Sequence, residues 1–87
     1  MKAAIIGYGS IGKRHLKNLL QLGIDDIVIV SKHLSSSELN FNGKIIHVVS
    51  DINIVIDSLD IMVISNASNL HLEYLNLAIN NKVHAYI

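Results

Sequence analysis

A glycine-rich turn near the start of the chain, Gly7-Tyr8-Gly9-Ser10-Ile11-Gly12, constrains the fold more than any other feature. An apolar segment, residues 1–6, precedes it, and residues 10–22 alternate apolar and polar side chains at helical spacing. The pattern predicts a buried strand, a tight turn and an amphipathic helix. Gly7 is expected to allow the turn, Gly9 to leave bare backbone open to a pyrophosphate, and Gly12 to let the helix and strand approach closely.

The start of the predicted helix adds a second reason to expect a phosphate here. Helix N-termini present unpaired N–H groups and a positive dipole end to anions. We therefore expect six cofactor-binding residues in the turn, namely Gly7, Tyr8, Gly9, Ser10, Ile11 and Gly12. The alternative is a glycine-rich strand-to-helix turn that binds no nucleotide.

Composition limits the classes of protein to consider. The 87 residues allow one small domain, and the 51% apolar and 16% charged residues argue against disorder. A formal net charge of zero gives no electrostatic support for binding nucleic acid or an anionic membrane. The absence of cysteine excludes disulfides and thiolate metal sites. No signal-peptide layout or membrane-spanning apolar run is evident, so we expect a cytoplasmic protein without a membrane or nucleic-acid partner.

The remaining chain alternates predicted strands with helical or polar connections. Strands are expected at residues 27–30, 44–49, 60–65 and 82–87, because these runs are rich in β-branched or aromatic residues. The expected helices are residues 70–81, residues 50–58 with Ser50 or Asp51 as the cap, and one or two turns at most within residues 36–40. The expected apolar stripes are Ile11, His15, Leu16, Leu19 and Leu20 on the first helix and Leu72, Leu75, Ala78 and Ile79 on the last.

This order predicts an α/β fold. It is a doubly wound, Rossmann-like parallel sheet of five strands in the order 3-2-1-4-5, with helices on both faces. In such sheets ligands lie beyond the carboxyl ends of the strands, at the switch point between the first and fourth strands. The glycine turn, Ser31-Lys32 and the segment 65–67 are expected along that rim.

The end of the second strand bears on which cofactor is bound. NAD-binding units usually carry an acid about 20 residues past the glycines, but Ser31 and Lys32 stand there, followed by His33. A hydroxyl followed by a cation suits a 2′-phosphate, so these residues favour NADP over NAD. The alternative, that Lys32 and His33 are only solvated side chains at a strand end, is nearly as strong.

The exit of the fourth strand should also face the cofactor. Asn66 and Ala67 are expected near the pyrophosphate and the nicotinamide ribose, with Ser68 or Asn69 capping the next helix. A role for His71 in anchoring the loop is favoured over proton transfer. The five histidines have no metal-ligand spacing, and we predict neither a metal site nor catalytic residues in this chain.

Two segments together resemble the N-terminal NAD(P)-binding domain of the glucose–fructose oxidoreductase / inositol dehydrogenase (Gfo/Idh/MocA) family. One is residues 6–16, Ile-Gly-Tyr-Gly-Ser-Ile-Gly-Lys-Arg-His-Leu, and the other is residues 60–71, which end in His71. Asn66-Ala67 stands where the family has Thr-Pro, a departure that affects the rigidity of the loop. The resemblance covers essentially the whole chain and implies that a Glu-Lys-Pro motif and a substrate domain would follow Ile87.

The resemblance thus implies the nucleotide-binding part of an oxidoreductase that is inactive alone. The whole protein would transfer a hydride between the nicotinamide and a secondary alcohol of a sugar, cyclitol or nucleotide sugar. The alternatives are a non-catalytic nucleotide-binding or redox-sensing module and a domain that binds nothing. The last strand would leave an exposed edge, so we also expect a homo-oligomer formed through that edge.

Overall fold

The computed structural model of the chain describes residues 1–32, 34, 36–65 and 71–86. Its strands are β1 (Lys2–Ile6), β2 (Asp26–Val30), β3 (Glu38–Phe41), β4 (Lys44–Val49), β5 (Ile61–Ile64) and β6 (His84–Tyr86). Its α-helices are α1 (Ser10–Gln21) and α2 (His71–Asn80), and two 3₁₀ helices span Ile52–Ile54 and Ile56–Ser58. Across the described residues, neither helix has the length and apolar content to cross a membrane.

The strands form one mixed, mostly parallel sheet in the order β3-β4-β2-β1-β5-β6. Strand β1 lies in the middle and pairs in parallel with β2 and β5. Strands β4 and β6 continue the parallel arrangement on either side, and β3 is antiparallel to β4. The predicted α/β class is therefore correct at this level, whereas the sheet has six strands instead of five: an antiparallel strand, β3, lies at the edge beside β4, so the full order differs from the predicted 3-2-1-4-5.

The extra strand, β3, forms a hairpin with β4. The sequence analysis expected the residues of β3 to belong to a polar connection. Asn42 and Gly43 have positive φ angles of 52° and 87°, and Phe41 pairs with Lys44. A two-residue Asn-Gly loop with positive φ at both positions is the turn that joins antiparallel strands most readily. The N–H of Gly43 also donates to Oδ1 of Asn40 over 2.8 Å. Residues 36–40 are thus not helical.

Helices cover both faces of the sheet, because the buried strands alternate apolar side chains to either side. On one face, Leu16 of α1 packs with Ala3, Ile5, Ile27, Ile29, Ile46, Val48 and Val63. On the other face, α2 and the 3₁₀ helices contribute Ala78, Ile52 and Ile56 to a cluster with Ala4, Ile6, Val28, Val30, Leu59, Met62, Ile64 and Val83.

Three predicted core positions on the helices are wrong. Ile11 is 58% exposed, and Leu72 and Ile79 are 69% and 72% exposed. The buried side of α2 is instead centred on Ala78, with Leu75 and Leu77 partly buried. Since α2 carries apolar side chains around most of its circumference, its periodicity did not specify which side faces the sheet.

The predicted helix over residues 50–58 is replaced by the two 3₁₀ turns. Asp51 precedes the first of them, and its carboxylate accepts from the N–H of Asn53 over 2.9 Å, so the predicted capping by Asp51 is correct. β-branched residues, which lose side-chain freedom in an α-helix, dominate this segment. Two short turns suffice to bury Ile52 and Ile56 against the sheet.

Candidate functional site

The carboxyl ends of the central parallel strands meet at one edge of the sheet. Backbone hydrogen bonds link these ends just beyond the strands. The N–H of Gly7 donates to the carbonyl of Val30, and the N–H of Ser65 donates to the carbonyl of Ile6, both over 2.9 Å. The N–H of Ser31 donates to the carbonyl of Val49 over 2.9 Å. The glycine turn, Ser31 and Ser65 therefore share this rim, as predicted.

Gly7 and Gly12 have the structural tasks that their spacing predicts. Gly7 has φ = 88°, a conformation that L side chains rarely adopt. At Gly12, an added Cβ would lie 2.5 Å from the carbonyl oxygen of Gly7. Helix α1 thus begins in direct contact with the turn that leaves β1, and only glycine allows that approach.

Ser65 completes this contact from the end of β5. Its hydroxyl lies 2.9 Å from the carbonyl oxygen of Ile6 and 3.1 Å from that of Gly7. The hydroxyl oxygen of Ser65 would lie 3.3 Å from a Cβ at Gly12. The sequence analysis placed Ser65 on the rim without assigning it a role, and the structure gives it one: it holds β1, β5 and the start of α1 together.

Gly9 differs from the other two motif glycines. It precedes α1 with φ = −100°, which any residue can adopt, and nothing lies within 4 Å of an added Cβ. No side chain caps the helix, and the first turn contains no acidic residue. Since the first intrahelical bond runs from the N–H of Lys13 to the carbonyl of Gly9, the N–H groups of residues 10–12 have no bond to any described residue. They are available to an anion.

Other residues of the turn lie around these N–H groups. Ser10 and Ile11 are exposed, whereas Tyr8 is half-buried against the α1 side of the sheet. Burial raises the pKa of Tyr8 above its ordinary value of 10.0. The Nζ atom of Lys13 lies 5.7 Å from the centre of the Tyr8 ring, within the range of a cation–π contact.

A cavity of about 380 Å³ lies beside the rim, between the carboxyl ends of β2 and β4 and helix α2. Lys32, the exposed residue after the buried Ser31, lines it. The other lining residues are Ser50, Asp51, Ile52, Asn53, Glu73, Tyr74 and Leu77. One cation, two carboxylates, a phenol and two aliphatic side chains therefore line one concave and mostly polar space.

The acidic and aromatic part of this cavity was missed by the sequence analysis. Burial raises the pKa of Tyr74 above 10.0, and the charges of Glu73 and Asp51 raise it further. Asp51 was predicted only as a helix cap, and Glu73 and Tyr74 received no role. Their only signal was position: Asp51 follows β4 at the ligand-binding edge, and the other two lie in the first turns of α2.

Two predicted site residues, Asn66 and Ala67, lie outside the described residues, as do His33, Ser68 and Asn69. His71 begins α2 and is half-buried. Within residues 1–32, 34, 36–65 and 71–86, no group of three His, Asp or Glu side chains could hold a metal ion. Comparison of the chain with protein-family models, curated proteins and solved structures gives no match.

Proposed function

We propose that this chain binds a dinucleotide, NADP or NAD, in a Rossmann-like manner, as the nucleotide-binding part of an oxidoreductase. The pyrophosphate would lie against Gly9 and accept from the N–H groups of residues 10–12. The adenosine ribose and its substituent would extend toward Ser31 and Lys32.

The conformation of Gly9 is the observation that carries this proposal. The fold explains Gly7 through its positive φ and Gly12 through its contact with Gly7. Neither reason applies to Gly9, which has ordinary dihedral angles and open space around it. At a helix N-cap Ser, Asn and Asp are preferred over Gly by about a few tenths of a kcal/mol, and their side chains would accept from one of the free N–H groups. Glycine keeps both the N–H groups and the space above them open to a phosphate.

The cavity beside Lys32 supports the choice of ligand. A 2′-phosphate can pair with the Lys32 ammonium, and ribose hydroxyls can donate to the carboxylates of Asp51 or Glu73. The apolar wall at Ile52 and Leu77 suits the flat surface of a base. Lys32, which lines the cavity, follows Ser31 on the rim that carries the glycine turn, so a ligand bound at the turn would extend toward the cavity.

The resemblance to the Gfo/Idh/MocA family supplies the reaction class within this proposal. In that family the bound nicotinamide exchanges a hydride with a secondary alcohol of a sugar-like substrate. The contribution of this chain would be to bind and orient the cofactor through the turn and the cavity. We expect no turnover from the 87 residues alone.

Titration with NADPH and NADH, followed by the fluorescence of the reduced nicotinamide, tests the proposal. We expect saturable binding by the wild-type chain. Gly9→Ala should weaken it at least about tenfold while the protein stays folded, since the methyl group meets no protein atom. A matched change at an exposed position outside the rim, Ser36→Ala, should leave binding unchanged. Failure to bind either cofactor at millimolar concentration would contradict the proposal.

Lys32→Gln tests the choice between the two cofactors. Loss of one charge-assisted contact to a 2′-phosphate should weaken NADPH binding about tenfold, or about 1.4 kcal/mol, and change NADH binding little. Lys17→Gln removes the same charge from the exposed side of α1 and is the control. If Lys32→Gln weakens the binding of both cofactors equally, Lys32 does not contact the 2′-phosphate.

A further inference from the structure

The turn between β3 and β4 contains the only Asn-Gly pair of the sequence, Asn42-Gly43. The backbone nitrogen that follows an asparagine can attack Cγ of the asparagine side chain and close a cyclic imide. A side chain on the following residue hinders that attack, and glycine, which has none, hinders it least. Nothing lies within 4 Å of a Cβ added at Gly43. The surroundings therefore leave the Gly43 nitrogen open to approach.

The side chain of Asn42 is also free to react. Asn42 is exposed, and its amide makes no hydrogen bond to any described residue. Asn53 is exposed too, but its side-chain amide donates to Oδ1 of Asp51 over 3.1 Å, and the β-branched Ile54 follows it. Of these two asparagines, Asn42 alone combines a free amide with an unhindered neighbour.

A hydrogen bond restrains the nitrogen that would attack. The N–H of Gly43 donates to Oδ1 of Asn40 over 2.8 Å. The nitrogen becomes a nucleophile only when it gives its proton to a base, the same step that exchanges a backbone amide hydrogen with solvent. Hydrogen-bonded amides exchange when the bond opens locally. Asn40 is exposed on an edge strand, so this opening requires no unfolding of the sheet centre.

We propose that Asn42 is a site of spontaneous deamidation, at a rate limited by the hydrogen bond from Gly43 to Asn40. The Gly43 nitrogen, after losing its proton to hydroxide, bonds to Cγ of Asn42, and the side-chain nitrogen takes a proton from water and leaves as ammonia. Water then opens the imide. Attack at Cγ breaks the new bond and leaves aspartate, whereas attack at the main-chain carbonyl carbon breaks the original peptide bond and leaves isoaspartate.

The isoaspartate product conflicts with the hairpin. Its main chain runs through the side-chain carbons and is longer by a methylene group, whereas a two-residue loop fixes the twist and register of the strands that it joins. Phe41 and Lys44 cannot then pair as they do. We expect β3 to detach, which removes Leu39 and Phe41 from the α1 side of the sheet.

The aspartate product keeps the backbone of the turn. Aspartate tolerates a positive φ nearly as well as asparagine does. Its carboxylate would enter a groove that Asn42 lines together with Lys17, Asp25 and Lys44, where the two ammonium groups outnumber the one carboxylate. Charge therefore does not oppose this product, and we expect the aspartate form to be as stable as the fresh protein.

Incubation of the folded 87-residue chain at mildly alkaline pH tests the proposal. Mass spectrometry of the tryptic peptide 33–44 follows the conversion, and fragmentation separates isoaspartate from aspartate. We expect Asn42 to convert before Asn53. Asn40→Ala should speed the conversion about fivefold in the folded chain, the factor that one ordinary hydrogen bond gives, and should not change it in urea. Asn40→Asp keeps an acceptor oxygen and should react no faster than the wild type.

Circular dichroism would check that both variants are folded. The proposal is wrong if Asn42 stays intact in the folded wild-type chain during the time in which it converts fully in urea. It is also wrong if Asn40→Ala leaves the rate in the folded chain unchanged, or raises it equally in urea. Neither Asn40 nor Asn42 belongs to the glycine turn or lines the cavity beside Lys32, so these outcomes do not depend on cofactor binding.

Urea unfolding of the aged protein tests the structural consequence. Each product adds one negative charge to a chain whose formal net charge is zero, so anion exchange separates both from fresh protein. The isoaspartate form should unfold at lower urea than the variant Asn42→Asp, which carries the same charge on an ordinary backbone. Equal midpoints would show that the turn accepts the longer main chain and that β3 stays paired.

Discussion

Substitution of Gly12 by alanine tests the packing of α1 against the turn. An alanine Cβ would lie 2.5 Å from the carbonyl oxygen of Gly7, and Cβ atoms essentially never approach within 3.0 Å. The contact must therefore open by about 0.5 Å. The atom in the way belongs to the backbone, which the bond from Gly7 N–H to Val30 fixes to β2, so no side-chain rotation can relieve the clash.

The expected cost follows from three terms. Overpacking of a tight contact costs about 1–3 kcal/mol. Movement of the Gly7 carbonyl weakens the bond from the Ser65 hydroxyl, which contributes about 1 kcal/mol. The higher helix propensity of alanine offsets about 1 kcal/mol of this loss in stability. We expect Gly12→Ala to lower the free energy of unfolding by about 2 kcal/mol, which for a domain of this size lowers the Tm by about 8–16 °C.

Thermal and urea unfolding followed by circular dichroism measure this change. Gly9→Ala is the matched control: it adds the same methyl group three residues earlier, where nothing lies within 4 Å. The gain from restricting the unfolded chain and the loss of a favourable N-cap residue roughly offset each other, so stability should change by less than about 0.5 kcal/mol. If both variants have the stability of the wild type, α1 does not contact the turn as described. If both are equally destabilised, the contrast drawn between the two glycines is wrong.

Three further predictions concern other parts of the molecule. Gly43→Ala should cost about 1–2 kcal/mol in urea unfolding, because φ at this turn is +87°, and an unchanged midpoint would argue against the hairpin. Ser65→Ala should cost about 1–2 kcal/mol, since the single O–H of its part-buried hydroxyl is shared between two carbonyls at the end of β1, whereas Ser37→Ala, at an exposed serine, should cost little. The pKa values of Tyr8 and Tyr74 are raised in the folded chain, so stability should be full below pH 10.0 and fall as the pH rises through the folded pKa values. Replacement of both tyrosines by Phe should reduce that loss, as measured by unfolding at alkaline pH.

The buried strands could be predicted from the sequence because their signal is local. Strands β2 and β5 coincide with continuous apolar, largely β-branched runs, as expected for strands covered on both faces. The start of α1 at Ser10 could be predicted because the glycine turn fixes the entry into the helix. In each case residues adjacent in sequence determine the outcome.

Strand β3 was missed although its signal is also local. Leu39 and Phe41 alternate with Glu38 and Asn40, and both apolar side chains pack on the α1 side of the sheet. The sequence analysis gave more weight to the polar composition of residues 31–43 and to the crossover that parallel strands require. The turn at Asn42-Gly43 allows an antiparallel return instead, so the chain can add an edge strand before β4.

The cavity was beyond prediction for a different reason. Lys32, Asp51 and Glu73 come from three separate segments, and their proximity depends on how α2 lies over the sheet. The sequence placed the exposed Leu72 and Ile79 against the sheet, and a helix turned that way would present other side chains to the cavity. A site built from one segment, such as the glycine turn, does not depend on that orientation.

The contrast among the motif glycines separates what the fold requires from what a ligand requires. Gly7 and Gly12 would be needed in any chain that turns from β1 into α1 with Ser65 packed beneath. A domain that folds but binds nothing therefore accounts for both. It places no such requirement on Gly9, where a Ser, Asn or Asp cap would stabilise α1 by about a few tenths of a kcal/mol and meets no steric obstacle. Gly9→Ser should thus stabilise the chain slightly while it weakens NADPH binding, and an increase in stability without loss of binding would leave the pyrophosphate proposal without its main support.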